Sequence, residues 1–334
     1  MSLTTRSPFG SIDENFGDVP DNEKGFLYYF IILVFVIVTV FATLLTAAFI
    51  VICALLWGHL KPNKFFWFLV QLTISAFLIS TFNLLINVPA SLSLISPQIA
   101  QSAMFVLFSY TIDFFHFSIL FSNLIIATQR AFVFFFRHLV DKFFEPPVIY
   151  LWMIIVWLFP FLIEFSFASS KCKYRYSILA QKFMMNCEVN SYQFTNIFTS
   201  PSTGIEMIDT FVQVVIPILI LIIYIAIVVK ISTMKRSTLN KNELAILKQA
   251  MFVFIVFQSS SLVFLLSRTF EISNVTAFLI KRFVNTMEIF GGAATPCFFF
   301  FTSREIRKLI STRVSAVSSQ GGSNVQVRRQ TMEG

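Results

Sequence analysis

Of the 334 residues in this chain, 56% are hydrophobic and 13% charged, against about 25% charged in ordinary soluble domains. That excess, with a mean hydropathy of +0.78, excludes a water-soluble globule. The net charge of +8 resides in loops between apolar runs, where it reads as membrane orientation rather than nucleic-acid binding. The 44 Phe suit lipid and helix packing first, and the lining of an apolar ligand cavity second.

In chain order, residues 1–24 form a polar, acidic tail. "MSLTTRSPFGSIDENFGDVPDNEKG" has no short apolar core and no small-residue cleavage site, so it is not read as a cleavable signal peptide. The first apolar run is then the targeting anchor. A helix needs about 20 apolar residues to cross a ~30 Å hydrocarbon layer. Seven runs qualify: Phe26–Trp57, Phe65–Val88, Ala103–Ala127, Val148–Ala168, Met207–Val229, Leu244–Leu266 and Ala277–Phe301. Backbone groups in lipid must satisfy one another, so helices are expected. The first run exceeds a single crossing and is expected to tilt or project. The second is the weakest, because it holds Gln71, Asn83 and Asn87. Pro160, Pro217 and Pro296 are expected kinks, and Gly291 and Gly292 loosen the chain ahead of Pro296. No internal repeat of the transporter kind is visible. The expected fold is all-α, a seven-helix membrane bundle over residues 25–310 with a disordered tail at 311–334.

Lys and Arg set the orientation. One set of loops holds sixteen basic residues against five acids, and the other nine against ten. The first set is expected in the cytoplasm, which puts the N-terminus outside and Arg130 at the inner end of the third helix. Cys172 and Cys187 then share the long loop between the fourth and fifth spans, on the oxidising side. A bridge and two free thiols fit equally well. Four Cys are too few for a disulfide scaffold, and Cys53 and Cys297 read as packing residues inside spans. Asn274-Val275-Thr276 is a glycosylation sequon in the last outer loop, close to the membrane.

Two polar stripes carry the candidate chemistry. Asp113, His116, Leu120, Asn123, Ala127 and Arg130 follow a 3, 4, 3, 4, 3 spacing, which is one face of a helix. Lys281, Asn285 and Glu288 share a face of the seventh helix. Ionisable groups at membrane depth turn inward and mark a site or pathway; hydrogen-bonded helix glue is the competing reading. Glu288 must pair with Lys281, His116 or a ligand cation, or else hold a proton. Asp209 and Glu164 sit near helix ends, where interfacial water is expected to reach them. The three His show no metal-ligand spacing. Phosphate-loop, nucleophile-elbow and paired-carboxylate motifs are missing, so neither an enzyme nor a cofactor is expected.

Seven spans with an arginine closing the third and a proline near the end of the seventh resemble a G-protein-coupled receptor. "TQRAF" (Thr128–Phe132) stands where rhodopsin-like receptors have Asp/Glu-Arg-Tyr, and "TPCFFFF" (Thr295–Phe301) where they have Asn-Pro-x-x-Tyr. "SREIRKLI" (Ser303–Ile310) resembles the short amphipathic helix that follows the seventh span. Pro217 matches the fifth-helix proline, with Tyr224 about two turns on. The departures are Gln129 in place of the acid, no Asp in the second helix, no Trp-x-Pro in the sixth and no Cys opening the third. With the Phe richness and the short basic tail, they make the chain similar to the nematode serpentine chemoreceptors, of the srx or srxa-like branch.

The resemblance implies a multi-pass plasma-membrane receptor, in a sensory cilium for a chemosensory role, with a small-molecule ligand, a heterotrimeric G protein and the bilayer as partners. It implies a ligand site at Asp113, His116, Gln258, Lys281, Asn285 and Glu288. It also implies a cytoplasmic switch in which Arg130 is held at rest, by Glu243 in the first instance and by Asp141 or Glu145 as rivals. Pro296 belongs to that switch. Lys235 and Arg236 would meet the G protein, or anionic lipid. A ligand-gated channel or small-solute transporter using the same stripe is the alternative, and a passive membrane scaffold the third reading.

Overall fold

A computed structural model describes residues 24–62, 64–92, 102–169, 172–177, 182–187, 204–233 and 274–302, with a few isolated positions between them. The helices are α1 (Phe26–Leu55), α2 (Trp57–Leu60), α3 (Phe65–Phe82), α4 (Val88–Ser91), α5 (Ala103–Phe135), α6 (Val140–Phe144), α7 (Val148–Ser169), α8 (Gly204–Thr233) and α9 (Asn274–Thr302). A π-helical turn, Asn83–Asn87, joins α3 to α4. Strands β1 (Cys172–Ser177) and β2 (Lys182–Cys187) form an antiparallel hairpin after α7, an element beyond the expected helices.

Five helical segments among the described residues are long and apolar enough to cross a membrane: Phe26–Leu55, Phe65–Ser91, Ala103–Phe135, Val148–Ser169 and Phe211–Ile231. The sequence placed its first five spans on these same runs. Its seventh coincides with α9, a helix of 29 residues that carries Lys281, Arg282 and Glu288 in its first half. The sixth, Leu244–Leu266, is described only at the isolated positions Met251, Ile255 and Ser259, and the N-terminal tail before residue 24 and everything after residue 302 lie outside the described residues.

α1 shows how a uniformly apolar helix chooses a face. Its buried residues are Tyr28, Ile32, Phe35, Thr39, Ala42, Thr46, Phe49 and Cys53, alternating steps of 4 and 3. That is a narrow seam of the coiled-coil kind. Thr39 and Thr46 lie on it because each hydroxyl donates back to the carbonyl four residues earlier, Phe35 and Ala42, at 2.7 Å. Neither threonine leaves its hydroxyl proton unsatisfied in the packed face. The other faces expose Phe26, Leu33, Ile37, Leu44 and Val51, the surface a bilayer would cover.

α3, with its extension to Ser91, is the most buried of the five spans, and its polar residues explain why. Gln71 donates to the Met153 carbonyl of α7 at 2.8 Å, and Ser75 meets Ser118 of α5 at 3.0 Å. The side chains that weakened this run as a lipid-facing helix are the ones that tie it to its neighbours. Pro89 explains the wide turn ahead of α4. It has no N–H, and its ring displaces the carbonyl four residues back, which the π-helical turn at Asn83–Asn87 absorbs. Pro160 and Pro217 lie inside α7 and α8, each of which runs on through its proline.

Contact pairs give the directions of the helices. Tyr28 stacks on Phe278, and Arg282 on Phe35, so α9 runs parallel to α1. Asn285 meets Asn83, and Gly292 meets Ala76, so α3 runs against α9. Phe82 meets Phe115, whereas Phe65 meets Arg130, so α5 also runs against α3. Gln71 with Met153 and Trp67 with Tyr150 make α7 parallel to α3. Lys230 over Phe135, and Tyr224 within electrostatic reach of Arg130, make α8 parallel to α5.

α9 comes close to α3 at Gly292, where an added Cβ would lie 3.0 Å from the Ala76 Cβ. Gly292→Val is therefore expected to destabilise the bundle by about 1–3 kcal/mol through overpacking, read as a lower thermal midpoint in detergent. Adding Ala76→Gly should recover part of the loss; no recovery would mean that the Ala76 contact is not the cause.

Candidate functional site

Two polar centres lie along α5, joined by a buried stripe. Leu120, Ala127 and Arg130 are buried, and Asp113, His116 and Asn123 are partly so, on the one face that their spacing predicted.

In the first centre, α5 meets α9. His116 Nδ1 lies 4.0 Å from Glu288 Oε2, with the two side chains 16% and 21% exposed. That is ion-pair range without a hydrogen bond, and both groups remain partly open to a third species. His116 was one of the three partners that the sequence offered Glu288. Asn285 does something different: it is buried, and its Nδ2 donates to Asn83 Oδ1 at 3.2 Å. Asn87 Nδ2 donates to the same oxygen at 2.7 Å, and Asn83 Nδ2 donates to the Ile79 carbonyl at 2.8 Å. Asn285 therefore fastens α9 to the π-helical turn, which is a structural task.

The spacing argument singled out Lys281 and passed over its neighbour. Arg282 is buried, at 2% exposure, with its Cζ 4.5 Å from the Phe35 ring centroid and 5.6 Å from that of Phe278. The buried positions Phe278, Arg282, Asn285 and Ile289 repeat the 4, 3, 4 seam of α1 against which they pack. The Lys281 side chain lies outside the described residues, as does Gln258. Glu164, expected to reach interfacial water, is buried on the inner face of α7 with Val156 and Pro160.

The second centre surrounds Arg130. The helix that was expected to end at about Arg130 continues to Phe135, since no Gly or Pro interrupts it, so Arg130 lies within a helix. It is 6% exposed, and its Cζ stands 4.1 Å above the ring of Phe65, the first residue of α3. Tyr224 of α8, also buried, lies within electrostatic reach of the guanidinium. An arginine snorkelling to lipid would be exposed; this one is covered. An aromatic knot beside it holds the connection from α5 to α7. Phe144 is buried between Phe68, Phe132 and Trp152, and Trp152 Nε1 donates to the Phe143 carbonyl at 3.0 Å.

Residues 17–323 match the family described as "Protein of unknown function (DUF621)". The chain belongs to that family. No curated protein matches it. The DUF621 match spans both polar centres and all five membrane-length segments.

Glu243, Lys235 and Arg236 lie outside the described residues of this DUF621 chain, and Asp141 and Glu145 are exposed. Pro296 and Asn274 fall within α9, with side chains outside the description. Cys172 and Cys187 stand directly opposite each other in the hairpin register. Among the described residues no group of three or more His, Cys, Asp or Glu is arranged to hold a metal ion.

Proposed function

We propose that this DUF621 chain is a seven-helix receptor of the plasma membrane, chemosensory in role. In this reading a small molecule bound near His116 and Glu288 biases the bundle toward a form that activates a heterotrimeric G protein. The observation that carries it is the burial of Arg130 against the Phe65 ring. Removing a guanidinium from water at a helix-bundle end carries a desolvation cost, and in this reading uncovering it to a partner relieves that cost. The Phe65 ring covers the guanidinium in the resting form, alongside the hold that the sequence reading gave to Glu243, which lies outside the described residues.

The span count is supported by direction. α8 runs parallel to α5, α9 parallel to α1, and α3 against both α5 and α9. α8 and α9 thus point the same way, which supports one further crossing between them in this reading. The Leu244–Leu266 run is long enough to make it. The Lys and Arg bias of the loops supports an outer N-terminus and puts Arg130 on the cytoplasmic side.

Ligand action here is a population shift: a cue that binds the open form more tightly than the closed one raises its share. Similarity to the nematode serpentine chemoreceptors, by "TQRAF" and "TPCFFFF", supports a chemical cue. The test is guanine-nucleotide exchange on added Gα, driven by membranes bearing the chain, alongside current recordings from cells lacking that Gα. Exchange above empty membranes without current is the expected result. Ligand-evoked current with no exchange would replace the receptor by a channel.

A further inference from the structure

We propose that Cys172 and Cys187 form a disulfide across the open end of the β1–β2 hairpin. The bond rests on the outward orientation of that loop, since such bonds persist on the oxidising side of the membrane.

The register carries the argument. Six consecutive pairs run from Cys172 opposite Cys187 to Ser177 opposite Lys182. Directly opposed residues in an antiparallel pair have Cα atoms about 4.5 or 5.5 Å apart, depending on the type of pair. Disulfides span about 4.4–6.8 Å between Cα atoms, so either type is within range.

The sequence supports this register independently. Alternate residues of a strand share a face, so one face holds Cys172, Tyr174 and Tyr176 opposite Cys187, Met185 and Phe183. The other holds Lys173, Arg175 and Ser177 opposite Asn186, Met184 and Lys182. Both cysteines and all three aromatic residues thus gather on one side, and all three cations on the other. A slip of one residue would mix the two and separate the cysteines.

The bond also has a place in the fold. β1 begins three residues after α7 ends and contacts both α5 and α7. An isolated two-stranded hairpin is marginal in water, and a cross-link at its open end would hold both strands together where they meet the helices. It would fix, next to the end of α7, the point at which the chain departs for α8. The bond forms by exchange with a protein disulfide oxidant of the secretory compartment. One thiolate attacks the oxidant, the second displaces it from the mixed disulfide, two protons and two electrons leave the pair, and the oxidant departs as a dithiol.

Full-length protein carrying an N-terminal epitope tag is treated in cells with N-ethylmaleimide, denatured without reductant and mapped by peptide mass spectrometry. The expected result is one linked peptide pair containing Cys172 and Cys187, lost on reduction. In Cys172→Ser, Cys187 should become fully alkylated. Both thiols alkylated without reduction, in molecules whose tag antibody reaches on intact cells, would overturn the bond alone. A link from either thiol to Cys53 or Cys297 would do the same. Free thiols together with a tag reached only after permeabilisation would overturn the orientation, and the bond with it.

Discussion

Replacing Asn83 by Leu is expected to destabilise the bundle by about 1–3 kcal/mol. One oxygen, Asn83 Oδ1, accepts from both Asn87 and Asn285, at 2.7 and 3.2 Å. The substitution keeps the volume but deprives two buried amides of their acceptor. An orphaned buried donor costs about 1–3 kcal/mol in water-soluble proteins. Side-chain hydrogen bonds between membrane helices average ~0.6 kcal/mol and reach ~1.7, because the unfolded chain in lipid also finds partners. The lipid scale governs here, and two lost bonds give the range stated. Adding Asn285→Leu removes a donor along with the acceptor, so the double variant should be less destabilised than the two single effects added. The check is a double-mutant cycle on thermal midpoints in a mild detergent. Strict additivity would mean that Asn83 and Asn285 do not share a bond in the folded protein.

Phe65→Leu is expected to raise basal nucleotide exchange on Gα by up to about thirty-fold at matched surface expression. A desolvated cation–π contact is worth about 2 kcal/mol, and ~1.4 kcal/mol is tenfold in an equilibrium, so removing the ring shifts the closed form by that factor at most. The observation behind this hypothesis is the 4.1 Å approach of the Arg130 Cζ to the Phe65 ring. Phe65→Trp keeps a π face and should stay near the parent level. Equal basal exchange in the Leu variant and the parent would remove Phe65 from the resting state. Equal elevation in Leu and Trp would point to loosened packing instead.

Helical periodicity and burial explain what was legible in the sequence. The stripe from Asp113 to Arg130 was readable because the ionisable residues of α5 are few and recur, with Asn123, at helical spacing. The membrane-length segments followed from run length alone. Arg282 was not readable. Lys281 and Arg282 lie about 100° apart on the helix, and either one forms a face with Asn285. What holds Arg282 in the interior is the Phe35 ring of α1, a contact that local spacing cannot reveal. Phe65 was invisible for the same reason, since it lies 65 positions from Arg130 and carries no polar atom. The Asn83 network had a signal that was read only halfway. Asn83 and Asn87 were marked as weaknesses of a lipid-facing helix, whereas two amides four residues apart just ahead of Pro89 can bond to each other and take in a third. The hairpin register was legible too, because its alternation sorts cations from aromatics, but a reading set to find helices passed over it.

The covered arginine remains the centre of the functional account. Its most direct test is exchange on Gα by Arg130→Gln, compared with Arg130→Lys and the parent chain at equal surface expression and in the presence of an activating cue. Loss of stimulated exchange in Gln, with at most partial recovery in Lys, is the predicted result. Full stimulated exchange from the Gln variant would contradict the account and leave Arg130 as a packing residue.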